Sequence, residues 1–115
     1  MLVQGWATNM VQKWTGTYRG QQAGSEASAI GYLAGCSIWL DWEVGAWESG
    51  TTAKECFTWI DDWAAAIRSA GYAPGIYVGE TTGKPLDSSQ LGSWNSVNSG
   101  KRMMLVSACH PLGIK

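Results

Sequence analysis

Apolar runs of strand length, alternating with helical patterns across short connections, predict an α/β fold built on a parallel sheet. Three observations carry that prediction. The run SIWLDWE at residues 37–43 is apolar without strict alternation, as expected of a strand buried on both faces. Residues 53–70 repeat their apolar positions at helical spacing between a capping signal and a glycine stop. A second apolar run, APGIYVG at 73–79, begins almost as soon as that helix ends. A length of 115 residues suits one domain, residues 1–115, and is too short for two of ordinary size.

Taken in order, residues 1–7 are compatible with a strand through Leu2, Val3 and Trp6, weakened by Gly5. Residues 9–17 place Met10, Val11 and Trp14 at helical spacing, but Gly16 and Gly20 bracket them, which predicts a loop with one helical turn. Residues 25–34 read as a helix. Ser25 is its cap, Ala27, Ile30, Leu33 and Ala34 its apolar stripe, and Gly35 its stop. Residues 36–43 form the strand described above, and residues 45–50 a loop carrying Trp47 and Glu48.

The helix at 53–70 is the best specified element. Thr52 and Glu55 make a capping box, each able to satisfy an orphan amide of the first turn. Phe57, Ile60, Ala64 and Ile67 share one face, and Trp59, Trp63, Ala66 and Ala70 widen it. Gly71 supplies the left-handed stop. The strand at 73–79 tolerates Pro74 near its start, where a missing N–H is harmless. A turn-rich stretch follows, then a short helix from Asp87 or Ser88 to Trp94, and a last strand at 102–108.

Composition excludes several classes of function. The formal net charge is −1, and Lys101–Arg102 is the only basic cluster, so neither nucleic acid nor an anionic membrane is an expected partner. No apolar run is long enough for a membrane span. The start, MLVQGWATNM, has neither the basic end nor the apolar core of a signal peptide. Eight Trp against one Phe favour large flat rings, which suit both cores and sugar-stacking clefts, and most are expected to be packing residues. Cys36, Cys56, Cys109 and His110 lack metal-site spacing, so the cysteines read as buried residues or free thiols. No metal or other cofactor is expected.

The chemistry concentrates at the end of the strand at 36–43. Positions i and i+2 of a strand share a face, so Trp39, Asp41 and Glu43 lie together, opposite Ile38, Leu40 and Trp42. Glu80 sits at the end of the next strand, and ligands of parallel α/β folds gather at the carboxyl ends of strands. Two adjacent carboxyl groups can hold one proton while the other group stays ionised, which is the acid–base arrangement that glycoside hydrolysis needs. By spacing alone Asp-x-Glu equally suits a solvated structural pair, the commoner outcome, or a hard cation such as Mg²⁺ or Ca²⁺. Tyr77 lies between Gly75 and Gly79 on its face, a placement open to a cleft-lining or a core ring.

The segment GQQAGSEASAIGYLAGCSIWLDWE resembles the glycine–alanine-rich helix and apolar strand–Asp-x-Glu of the glycoside hydrolase-like family catalogued as domain of unknown function 1906, which is related to the family 25 lysozymes. The next segment, FTWIDDWAAAIRSAGYAPGIYVGE, resembles the family's following helix and Gly-Tyr-x-Pro-Gly-x-Tyr strand. The resemblance implies a (β/α)8 TIM barrel, with Glu43 as general acid and Asp41 as companion carboxylate. It implies Tyr77 in the cleft, and the sequence offers Trp39, Trp47 and Glu80 as further candidate substrate contacts. The implied substrate is the glycan of peptidoglycan, and the implied location is the cell wall or outside the cell.

Such a barrel takes about 200–250 residues. The match therefore implies an incomplete barrel, running from near the third strand to near the sixth. It lacks the early strand that usually supplies another active-site Asp, and the last strand lacks a Trp that relatives often carry. Open sheet edges in such a piece invite self-association. A glycan-binding module without turnover, or an inactive partial barrel, are the alternatives to a hydrolase.

Overall fold

The computed structural model describes residues 2–78 and 104–107. Four strands, β1 (Leu2–Gln4), β2 (Ser37–Trp42), β3 (Ala73–Val78) and β4 (Met104–Ser107), form one sheet in chain order. Every neighbouring pair is parallel, as the strand–helix–strand pattern predicts. A short helix α1 (Met10–Lys13) and a longer α2 (Gly16–Ala29) link β1 to β2, and α3 (Ala53–Ser69) links β2 to β3. The short helix predicted at 87–94 falls outside the described residues, as do Glu80, Trp94, Cys109 and His110.

One face of the sheet carries the core. Ile38, Leu40 and Trp42 from β2 and Ile76 from β3 are buried in a single cluster with Ala23 and Ala27 of α2 and Cys56, Trp59, Ile60, Trp63, Ala64 and Ile67 of α3. The N-cap half of the capping box forms as predicted, and the Glu55 carboxylate meets the Thr52 hydroxyl rather than its amide. Thr52 Oγ1 accepts from the Glu55 amide at 3.1 Å, and the two side chains meet at 3.1 Å. Gly71 follows the helix at φ 94°, the left-handed region that a side chain would strain. Trp42 Nε1 is buried in this layer without a hydrogen-bond partner, while other polar groups there are paired. Trp63 Nε1 donates to Gln4 Oε1 at 2.8 Å, and Gln4 Nε2 donates to the Arg19 carbonyl at 3.0 Å.

The helix predicted at 25–34 is displaced. It begins at Gly16, where Thr15 accepts from the Tyr18 amide at 3.0 Å, and it ends at Ala29. Ile30 and Leu33 lie beyond it and are 70% and 74% exposed, so they form no core stripe. The segment predicted as a loop around Gly16 is helix because its glycines face α3. A Cβ on Gly16 would stand 2.0 Å from the Trp59 carbonyl oxygen, and one on Gly20 would stand 2.6 Å from that of Trp63. Glycine at every fourth position is a contact ridge here, and the close helix–helix approach it permits offsets its poor helix propensity.

At the amino end of the strands, Tyr32 and Tyr72 stack with centroids 5.6 Å apart. Tyr72 Oη donates to the Tyr32 carbonyl and Tyr32 Oη to that of Ser37, both at 2.8 Å. That end is stitched shut by ring stacking and hydrogen bonds. The catalytic candidates lie at the other.

Candidate active site

Alternation along β2 decides which side chains face the helices. Trp42 is fully buried there, stacked on Trp47 at 5.3 Å and tilted against Trp59 at 6.1 Å. Trp39, Asp41 and, one residue beyond the strand, Glu43 alternate onto the opposite face. The register carries that face across the sheet: Val3 pairs with Trp39, Trp39 with Gly75, and Asp41 with Tyr77. No helix among the described residues covers it.

The pair of acids is electrostatically unusual. Asp41 Oδ1 is buried without a hydrogen-bond partner. Burial first, then hydrogen bonding to Glu43 and its negative charge, raise the Asp41 carboxyl from 3.8 to about 7. All three effects favour the protonated form. Near neutral pH Asp41 therefore retains a proton in its hydrogen bond with Glu43. A proton held at such a pKa is available for transfer near neutral pH.

The floor and rim of the site are built by close approach. The Trp39 ring occupies the space beside Gly75, where an added Cβ would stand 2.5 Å from Cε3. Only glycine admits this ring, which packs the floor next to Asp41. At the carboxyl end of β1, Trp6 is 40% exposed and its ring lies against Gly45, whose φ is 101°. The loop that follows Glu43 is tied to this rim by Asn9 N–H donating to the Gly45 carbonyl at 2.8 Å and Val11 N–H to that of Ala46 at 3.1 Å. Gln12 Oε1 accepts from the Glu48 amide at 2.9 Å, and Gln12 Nε2 donates to Thr51 at 2.8 Å.

The structure thus brings Trp39, Asp41, Glu43 and Tyr77 to one face. It separates Trp47, which is buried in the helix-side core against Trp42. A glycan cannot stack on a ring buried against another indole. Glu80 lies outside the described residues. The sequence marks Trp6 only as a strand residue. Its place two residues past β1, beside the strand that bears the acids, is the signal that adds it to the rim. Among the described residues no three His, Cys, Asp or Glu side chains gather as a metal cluster. Cys36 and Cys56 are free thiols, and burial pushes Cys56 up to about 12, far from a reactive thiolate.

A parallel α/β sheet with a proton-sharing carboxylate pair at the carboxyl ends of its strands is an arrangement suited to glycoside chemistry. The chain belongs to the Rv2525c-like, glycoside hydrolase-like domain family, whose model matches residues 2–105. No curated protein matches the chain. Among solved structures, it is similar to a B. stearothermophilus protein described as uncharacterized, whose crystal structure was determined at 1.07 Å. The two superpose with a TM-score of 0.67 at 19% identity, over 94% of this chain and 47% of the other, a likeness of fold. The chain spans about half the length of that protein.

Proposed function

We propose that this chain carries the acid–base centre of a glycoside hydrolase acting on the glycan of bacterial peptidoglycan, and that its four strands are consecutive strands of a (β/α)8 barrel. The observation that carries the chemical reading is the half-buried Asp41 carboxyl, with Oδ1 enclosed, raised to about 7 by burial and by Glu43 at the carboxyl end of a parallel strand. The barrel reading is supported by the sequential parallel order of the strands, with α2 and α3 packed on one face.

In this mechanism the pair begins with one shared proton. The Asp41 proton passes along the hydrogen bond to Glu43, which delivers it to the glycosidic oxygen as the carbon–oxygen bond breaks, and both carboxylates then stand ionised beside the oxocarbenium-like centre. A water then adds to the sugar carbon and returns its proton to the pair, which restores the starting state. Tyr77 and Trp6 line the cleft, where phenol and indole rings offer flat apolar faces to sugar rings, and the buried Trp39 ring packs beneath them as its floor.

The test is Glu43→Gln in a protein that spans the whole domain, assayed by release of reducing ends from purified peptidoglycan. Turnover is expected to fall by at least about a hundredfold, the usual contribution of a general acid. Unchanged turnover removes Glu43 from the mechanism. Retained binding to cell walls, with no turnover in the unaltered protein, identifies a glycan-binding module instead.

A further inference from the structure

We propose that Arg19 is a positioning residue of the cleft: its guanidinium fixes the Gly5–Trp6 peptide and so holds the Trp6 ring at the rim, where a sugar ring meets it. The inference rests on the reading of Trp6 as a sugar contact in the proposed function. Arg19 acts through Trp6 and not on the substrate itself.

β1 ends at Gln4, and Gly5 follows with nothing within 4 Å of the place its Cβ would take. Packing does not restrain the chain on that side, and glycine brings the widest backbone freedom of any residue. The peptide joining Gly5 to Trp6 is planar, so the direction of the Gly5 carbonyl sets the direction of the Trp6 amide. Arg19 Nη2 donates to that carbonyl at 2.6 Å, from 14 residues further along the chain. A bond from an ionised donor is shorter and stronger than one between neutral groups.

Arg19 is itself held from the core. Its own carbonyl accepts from Gln4 Nε2 at 3.0 Å, and Gln4 Oε1 accepts from Trp63 Nε1 at 2.8 Å. Its guanidinium carbon lies 5.2 Å from the centroid of the Trp14 ring, a contact that suits a planar cation. The Trp14 carbonyl in turn accepts from Trp59 Nε1 at 2.8 Å. Two core indoles thus anchor the group that grips Gly5. Arg19 Nε is buried without a partner, a cost that a residue serving only as surface charge does not meet.

The far end of Trp6 is fixed as well. Its ring atoms Cζ3 and Cη2 stand 3.2 and 3.5 Å from the place a Cβ on Gly45 would take, in the loop that follows Glu43. Trp6 remains 40% exposed between these two holds. A ring fixed in place but open to solvent is what a stacking platform requires, because little freedom is left to lose when a ligand arrives.

The experiment joins nuclear magnetic resonance on this chain with kinetics on soluble peptidoglycan fragments, the latter in a protein that spans the whole domain. The Trp6 indole signal is identified by its loss in Trp6→Phe, and its cross-peaks to the Gly45 α protons read the position of the ring. Arg19→Met removes the donor and keeps an apolar stem beside Trp14. It is expected to abolish those cross-peaks and to raise KM at least about threefold, with kcat changed less than about twofold. Arg19→Lys, which returns a cationic donor, is expected to restore part of both. Arg19→Gln, polar but shorter, serves if the methionine variant folds poorly. In a Trp6→Ala background, Arg19→Met is expected to add nothing to KM. Unchanged cross-peaks in folded Arg19→Met overturn the proposal. So does an equal KM effect with Trp6 already removed, or a fall in kcat at constant KM. The cross-peaks read positioning without turnover: a protein that cleaves no glycan refutes only the hydrolase reading, and a hydrolase whose Trp6–Gly45 contact survives Arg19→Met refutes only this one.

Discussion

Asp41→Asn separates the electrostatic account of the site from a packing account. The substitution keeps the shape of the side chain and can still donate a hydrogen bond toward Glu43, but it never ionises. In the folded protein the Asp41 carboxyl stands at about 7 against its ordinary 3.8, so the folded state holds the proton more tightly than the unfolded chain. The sign follows: this group makes stability fall as pH rises from near 3.8 to about 7, with no further change on either side. At ~1.4 kcal/mol per pH unit the full shift is bounded at roughly 4 kcal/mol. Asp41 is only half-buried, and solvent screening brings the expected effect to about 1–2 kcal/mol. Urea denaturation at pH 4 and pH 8 reads it. The variant is expected to match the unaltered protein at the lower pH and to exceed its stability by about 1–2 kcal/mol at the higher. Equal destabilisation at both pH values would refute the reasoning, because it would mean that Asp41 matters for shape and not for its charge.

Three further predictions test the scaffold. Gly16→Ala sets a methyl group 2.0 Å from the Trp59 carbonyl oxygen, and is expected to lower stability by about 1–3 kcal/mol despite alanine's better helix propensity; a stabilised variant would show that α2 and α3 do not meet there. Trp47→Ala removes a ring stacked on Trp42 and is expected to cost about 3–5 kcal/mol in thermal or chemical unfolding while leaving cell-wall binding of the folded fraction unchanged; lost binding with intact stability would return Trp47 to the cleft. Gly75→Ala forces the Trp39 ring off its seat, and a changed near-ultraviolet circular dichroism signal with a loss of about 1–3 kcal/mol is expected; an unchanged spectrum would mean that Trp39 does not rest on that glycine.

Local chemistry makes much of this molecule legible in its sequence. The capping box at Thr52 and Glu55, the repeat of Ile60, Ala64 and Ile67, and Gly71 lie close together in the chain, so the limits and buried face of α3 follow from neighbours a few residues apart. Period-two alternation puts Asp41 and Glu43 on one face and Ile38, Leu40 and Trp42 on the other, and the parallel order of strands follows from the helices between them. Other features depend on partners far away in the chain. Gly16, Gly20 and Gly24 look like breakers until α3 lies against them, which is why α2 begins nine residues earlier than local propensity suggests. Trp47 and Trp6 are both indoles outside the regular elements. Only packing sends the first into the core against Trp42 and leaves the second at the rim beside Gly45. The proton on Asp41 likewise belongs to the assembled site. A carboxyl group acquires a pKa near 7 from the surfaces that remove its water and from the charge beside it, and the sequence determines that charge but not that burial.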